Sequence, residues 1–383
     1  MKIACPQESL AQGLAVVSRA VAPRSTMPVL ANILLSADEG RLKLAATNLD
    51  LGITCFVEGV DVREPGSITV PSRLLGEFVN SLPKGSVEMS LNQRTSTLNL
   101  RCTPYEANVK GIAADEFPPI PQVDGQERVS LDPALLGEAI DQVAFAAATD
   151  DSRPALSGVL VSFRGTKLTL AAADGFRLAV RTLDLSQAAP ESLDIIVPAR
   201  TLQELGRVLG DQSEPVEVAV TPNHSQVLFH LKKVDLVSRL IEATFPNYQQ
   251  IIPTTSATRV TVNTKDFLNA ARIASFFARD SSNIIRLQIT PGKELTPGQV
   301  LVTATAADVG DTVGGIDATI EGDAAQIAFN AKYLTDVLGV IDTEKVRLEL
   351  ASPSRPGVLR PVGAEGYTHV IMPMHVTTPS RPS

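Results

Sequence analysis

Residues 197–209 read VPARTLQELGRVL, and the phrase recurs twice, as VPSRLLGEFVNSL at 70–82 and as FNAKYLTDVLGVI at 329–341. The copies share a base (Arg73, Arg200, Lys332) and then a leucine two places on (Leu75, Leu202, Leu334). An acid follows (Glu77, Glu204, Asp336), and after it an apolar residue (Phe78, Leu205, Val337). Starts at 70, 197 and 329 divide the chain into near-thirds, a spacing far longer than a solenoid repeat and suited to a small domain. Other stretches keep the same step. LKLAATNLDLGI from Leu42 aligns with LTLAAADGFRLAV from Leu168 and VLVTATAADVGDTV from Val300, and Phe117-Pro118-Pro119-Ile120-Pro121 aligns with Phe245-Pro246-Asn247-Tyr248. The chain reads as three copies of one domain.

Local patterns fill in each copy. After Pro6-Gln7-Glu8, the residues Leu10, Leu14, Val17 and Val21 stand at helical spacing. Residues 33–37 and 42–47 read as strands joined by an Asp38-Glu39-Gly40 turn, and Pro23 and Pro28 bracket a turn carrying Arg24. Asp132-Pro133 predicts a helix start, with an acid cap and proline in the first position, followed by a buried stripe of Leu135, Leu136, Ala139, Ile140 and Val143. Thr264 is the expected cap of a helix bearing Phe267, Leu268 and Ala271. The proline-rich connectors cannot continue central strands. They place domains at 1–123, 124–253 and 254–376, with 377–383 expected as a disordered tail. Each copy reads as two helices on about seven or eight short antiparallel strands, an α+β pattern.

Composition narrows the function. With 44% hydrophobic and 20% charged residues the chain can bury ordinary cores. No apolar run approaches the roughly 18 residues of a membrane span, and MKIACPQESL lacks a signal core. Cys5, Cys55 and Cys102 are odd in number and confined to the first third, which suits a reducing compartment, so a cytoplasmic protein is expected. A net charge of −8 argues against a conventional basic domain that grips DNA by neutralising phosphates. There is no GxxxxGK[ST] loop, no GxGxxG opening a helix and no GxSxG elbow. His224, His230, His369 and His375 lack metal-ligand spacing and the cysteines form no CxxC pair, so neither metal nor cofactor is expected. Asp150, Asp151 and Asp174 could be paired carboxylates of a metal-dependent hydrolase or nuclease. Loop acids at turns is the plainer reading, since nothing beside them supplies a nucleophile or ligand. Met372 and Met374 around Pro373 read either as core of a last strand or as a surface that adapts to a partner peptide.

Several of these stretches together resemble one family. They are Arg24 with Thr26-Met27-Pro28-Val29-Leu30, then Ala173-Asp174-Gly175-Phe176-Arg177-Leu178-Ala179-Val180, Phe245-Pro246-Asn247-Tyr248, Phe329-Asn330 through Tyr333, and Val370-Ile371-Met372-Pro373-Met374. In order and over nearly the whole chain, they resemble the bacterial sliding clamp, the beta subunit of the replicative DNA polymerase III holoenzyme.

The resemblance implies a non-catalytic head-to-tail homodimer, a ring of six similar domains with helices lining a hole for double-stranded DNA. It implies a seam between Phe276 and Phe277 of one copy and an edge strand near Ala107 and Val109 of the other. Such a ring holds DNA by topology, so a mild inner basic bias suffices; the candidates are Arg24, Arg73, Arg153, Arg200, Arg207, Arg272 and Lys332. It also implies a pocket for a short hydrophobic peptide carried by the polymerase catalytic subunit, the clamp loader, and other polymerases and repair proteins. The residues carried over are Leu156, Gly175, Phe176, Arg177, Leu178, Pro246, Ile251, Asn330, Tyr333, Val370, Met372, Pro373 and Met374. Departures from the family pattern are Phe176 for histidine, Ala173 for threonine, Gln250 for a base and Asp150 for glutamine. The different-class alternative is a repeat scaffold that binds peptides and never encloses DNA.

Overall fold

The computed structural model describes residues 1–121, 127–150, 152–210, 212–279, 282–293, 296–306, 308 and 310–374. The expected tail, with Asp151, His375 and Val376, lies outside the described residues. Six α-helices fall two to a repeat: α1 (Gln7–Val17), α2 (Ser72–Ser81), α3 (Pro133–Val143), α4 (Ala199–Leu209), α5 (Thr264–Ala278) and α6 (Ala331–Leu338). Twenty-five strands accompany them among the described residues, nine in the first repeat and eight in each of the others. The unforeseen ninth, Asp61–Glu64, is short and solvent-facing, so it carries no apolar alternation to read.

The recurrent phrase is a strand running into a helix. Strands Gly66–Pro71, Leu193–Pro198 and Ala325–Asn330 end where α2, α4 and α6 begin. Proline or a capping asparagine at the junction stops the ladder. The shared leucines Leu75, Leu202 and Leu334 are buried in all three copies. The shared base and acid sit four apart, so they can meet across one helical turn. They do so in α2 (Arg73–Glu77, 2.8 Å) and α6 (Lys332–Asp336, 2.9 Å). Glu204 instead is buried and takes Arg19 (3.0 Å) and Arg207 (2.7 Å).

All sheet pairings are antiparallel, and two of the three sheets cross repeat boundaries. The chain forms two compact units, Met1–Leu136 with Thr201–Leu240, and Gly137–Arg200 with Ile241–Ser383. In the first unit an eight-stranded sheet joins repeats one and two where Leu51–Val57 pairs with Val234–Arg239. A separate five-stranded sheet ends at the edge strand Tyr105–Lys110. In the second unit a twelve-stranded sheet joins repeats two and three where Arg177–Asp184 pairs with Tyr367–Ile371.

Three local expectations shift. α1 ends at Val17, and Val21 lies beyond a short 3-10 turn in extended conformation. α3 starts as expected, with Asp132 Oδ1 accepting from the Leu135 N–H at 2.9 Å, but Leu135 itself is exposed and the stripe narrows to Leu136, Ala139, Ile140 and Val143. The cap of α5 is Asn263, whose Oδ1 accepts from the Lys265 and Asp266 N–H groups. Thr264 is already helical, and its hydroxyl donates to the Thr343 carbonyl at 2.7 Å. Loss of a capping side chain costs about 1 kcal/mol. Asn263→Ala should therefore lower the unfolding free energy of the transition that includes α5 by that amount, read as a urea midpoint reduced by that amount divided by an unchanged slope.

Candidate functional site

In the second unit, the step from repeat two to repeat three makes an apolar cradle. Leu178 and Val370 face each other across the pairing of Arg177–Asp184 with Tyr367–Ile371. With Leu156, Ala173 and Val358 they form a buried floor, against which Phe245, Tyr248 and Ile252 of the connector pack. The pairing runs one step past the last strand, where the Met372 N–H donates to the Phe176 carbonyl at 2.8 Å. Met374 N–H then donates to the Ala328 carbonyl at 2.8 Å, pinning the chain on either side of Pro373. Over the buried floor, Phe176 (58% exposed), Met372 (38%) and Ile251 present apolar surface to solvent.

The turn before the cradle is built by Asp174. Its Oδ1 accepts from the Phe176 N–H (2.8 Å) and the Arg177 N–H (3.0 Å), and its Oδ2 accepts from Arg177 Nε (2.9 Å). Gly175 lies in the left-handed region at φ +94, where a side chain is strained, and a Cβ there would stand 2.8 Å from Arg153 Nη1 and force that guanidinium to move. Arg153 Nη2 donates to the Asp174 carbonyl at 3.0 Å.

Arg177 is the wall rather than a free donor. Besides Asp174 it donates through Nη1 to Asp336 Oδ2 (2.7 Å) and through Nη2 to the Phe145 carbonyl (2.7 Å). Its guanidinium lies over the Tyr333 ring (4.5 Å) and the Phe145 ring (5.2 Å). A buried guanidinium is tolerable only when its charge and donors are met, and here two carboxylates and a carbonyl meet them. Asn330 serves the same wall from below, its Oδ1 capping α6 at the Lys332 and Tyr333 N–H groups. Behind it, His369 is fully buried, stacked on Phe145 at 5.5 Å, and burial first and Arg177 second push its imidazole down to about 3. Pro246 is exposed on the connector, at the cradle's rim.

The expected cation set divides. Arg24, Arg200 and Arg272 are exposed with no ion-pair partner among the described residues. Arg73, Arg207 and Lys332 are held by Glu77, Glu204 and Asp336, and Arg153 lies 3.8 Å from Asp150. Such surface pairs are weak enough to exchange for a phosphate.

A second exposed apolar face, of which sequence reasoning found only part, lies on α5. Phe276 (60% exposed) and Ile273, one turn apart, stand out from the helix, and Val313 (64%) stands out from strand Gly310–Gly322. Phe277 is half-buried. Nothing in a glycine-rich stretch marks Val313 beforehand. The edge strand Tyr105–Lys110 carries both Ala107 and Val109, and Val109, buried opposite Leu98, can offer a partner its backbone only.

Acid–base chemistry loses its residues. Both Asp174 oxygens are committed to the turn, and hydrogen bonds from Ser152 first hold Asp150 below the ordinary carboxylate range. No group of three histidine, cysteine or acidic side chains among the described residues could hold a metal. Burial pushes the Cys5 thiol up to about 12 and Cys55 to about 11, so neither is a nucleophile.

Comparison with known proteins matches nearly the whole chain. The family descriptions "DNA polymerase III beta subunit" N-terminal, central and C-terminal domain match residues 1–121, 130–247 and 249–375. The chain is 35% identical to the beta sliding clamp of Synechococcus elongatus over 98% of its length and all of the relative's. To that of Bacillus subtilis it is 31% identical over 98% and 99%. The crystal structure of the Bacillus subtilis DNA polymerase sliding clamp superposes with a TM-score of 0.91 at 30% identity, covering 98% of this chain and 100% of that one. A Pseudomonas aeruginosa sliding clamp bound to griselimycin superposes at 0.89 with 28% identity, over 98% and 100%.

The buried His369 has a pH signature. Below about 6.5 the unfolded chain protonates its imidazole, while the folded chain does not until about 3. The folded state therefore loses stability as pH falls through that window. His369→Gln should flatten the pH dependence of the urea midpoint there by about one proton relative to the parent chain.

Proposed function

The chain belongs to the DNA polymerase III beta subunit family and is a three-domain DNA sliding clamp rather than an enzyme, and from that premise we propose that two copies close head to tail around duplex DNA while the apolar cradle docks partner peptides. The observation that carries the ring is a pair of surfaces that each lack a partner among the described residues. The strand Tyr105–Lys110 ends its sheet with a bare backbone edge. Ile273, Phe276 and Val313 leave apolar surface in water. Residues 310–317 of strand Gly310–Gly322 pair on one side only among the described residues, so laying one copy's edge along them joins the two backbones and buries the apolar face, and a heterologous contact of this kind must close to avoid a filament.

The net charge of −8 fits this use. A closed ring keeps its DNA without tight phosphate contacts, and weak ones let it slide. Arg24, Arg200 and Arg272 are the ready contacts, with Arg73, Arg153, Arg207 and Lys332 reaching DNA only by leaving their present partners. Their contribution should be salt-sensitive. Partners are the replicative polymerase catalytic subunit, the clamp loader, and other polymerases and repair proteins that carry a short apolar peptide. An apolar cleft with a few fixed polar groups is where such a peptide gains most.

Retention on DNA tests the ring. After loading by a compatible loader, the protein should stay on a nicked circular plasmid and be lost once the circle is cut, and Ile273→Asp with Phe276→Asp should abolish retention. Equal retention on circle and linear forms would mean surface binding, and no retention with a control clamp loading normally would favour the peptide scaffold. The cradle is tested with griselimycin as probe. Met372→Ala with Met374→Ala removes about 1–2 kcal/mol of apolar contact per side chain. Calorimetry should show binding at least tenfold weaker, with retention on the circle unchanged.

A further inference from the structure

The first unit contains a backbone copy of the cradle. Gly52 faces Val237 across the pairing of Leu51–Val57 with Val234–Arg239, as Leu178 faces Val370. The Arg239 N–H donates to the Asp50 carbonyl at 2.8 Å, as the Met372 N–H donates to that of Phe176 at 2.8 Å. Asn48 Oδ1 accepts from the N–H groups of Asp50 (3.0 Å) and Leu51 (2.7 Å), the role Asp174 plays in the second unit. Between them Leu49 holds φ 79, where the other turn has Gly175 at φ 94. Even the floor is matched: Gly52 has no side chain, and Ile120 of the connector comes within 3.0–3.3 Å of where its Cβ would be. A cavity of about 340 Å³ remains above it.

The rims differ in kind. Where the second junction exposes Phe176 and Met372 side by side, the first has Asp50 and Arg239, both well exposed and 4.0 Å apart, next to a half-exposed Leu49. An apolar peptide laid over the second rim removes apolar surface from water. Laid over the first, it must strip water from an acid and a base and return no hydrogen bond.

We propose that Phe176 and Met372 are the specificity-determining pair that restricts peptide docking to one of two otherwise matched junctions. This rests on the docking reading above and adds to it the reason for one site per chain. A few side chains that a docked peptide covers completely carry a large share of affinity.

The test exchanges the rim's character. Griselimycin is titrated calorimetrically into the full chain, into Phe176→Asp with Met372→Arg, into Phe176→Leu with Met372→Leu, and into Phe176→Asn with Met372→Gln, which guards against misfolding of the charged variant. The parent chain should bind one molecule per chain. Both polar variants should bind roughly 30-fold more weakly or worse, with unchanged thermal midpoints, while the leucine variant stays within about threefold, the preserved apolar surface accounting for the difference. Polar variants that bind like the parent would overturn the proposal. So would a leucine variant as weak as the polar ones, since shape rather than apolar character would then decide. A parent chain that binds no griselimycin would sink the docking reading itself, a result distinct from either.

Discussion

A strand at the end of a sheet leaves a row of N–H and C=O groups that water or another strand must satisfy. In this chain strands of neighbouring repeats satisfy one another: Leu51–Val57 meets Val234–Arg239, and Arg177–Asp184 meets Tyr367–Ile371. Continuous antiparallel sheets result, and the apolar cradle lies along one of those two seams. The connectors must cross them, so Ile120 and Tyr248 come to lie on the sheet surface and pack into the floors beneath. A concave apolar site is a by-product of joining repeats in this way. What differs between the seams is only which side chains rise around the concavity.

Charge works by containment. Arg177 is the most heavily engaged cation described here, with Asp174, Asp336 and the Phe145 carbonyl around it and two aromatic rings on its faces. Removing any one partner would leave a buried charge under-satisfied, which is why a guanidinium in this position stiffens the wall instead of recognising a ligand. Asp174 is likewise committed to its turn. This leaves the exposed apolar surfaces, with Arg24, Arg200 and Arg272, as the parts of the molecule still free to bind.

Much of this was legible in the amino-acid order because repetition multiplies weak signals. The strand-to-helix phrase appears three times, and the same leucine is buried each time. Single-site chemistry was harder to read. Asn263 and Thr264 are both good caps, and only the Thr264 hydroxyl's bond to the Thr343 carbonyl decides between them. The wall around Arg177 depends on Asp336, which lies in another repeat and is brought near by the seam. Val109 was placed on the edge strand only through the family resemblance, and its side chain faces the core opposite Leu98. Phe276 was placed only through the family resemblance. Its neighbours Ile273 and Val313 were missed because one apolar residue on a helix face, or one in a glycine-rich strand, carries no periodic signal.

The offset between repeats and sheets has a consequence for dissecting the molecule. Sequence similarity suggests cutting at the connectors, yet repeat two excised that way would tear both seams and expose two long strand edges. Its two halves belong to different compact units, divided near Leu136, Arg200 and Leu240. The piece that evolution copied and the piece that can be lifted out intact are thus not the same, because the chain was duplicated by the repeat but is held together by the seam.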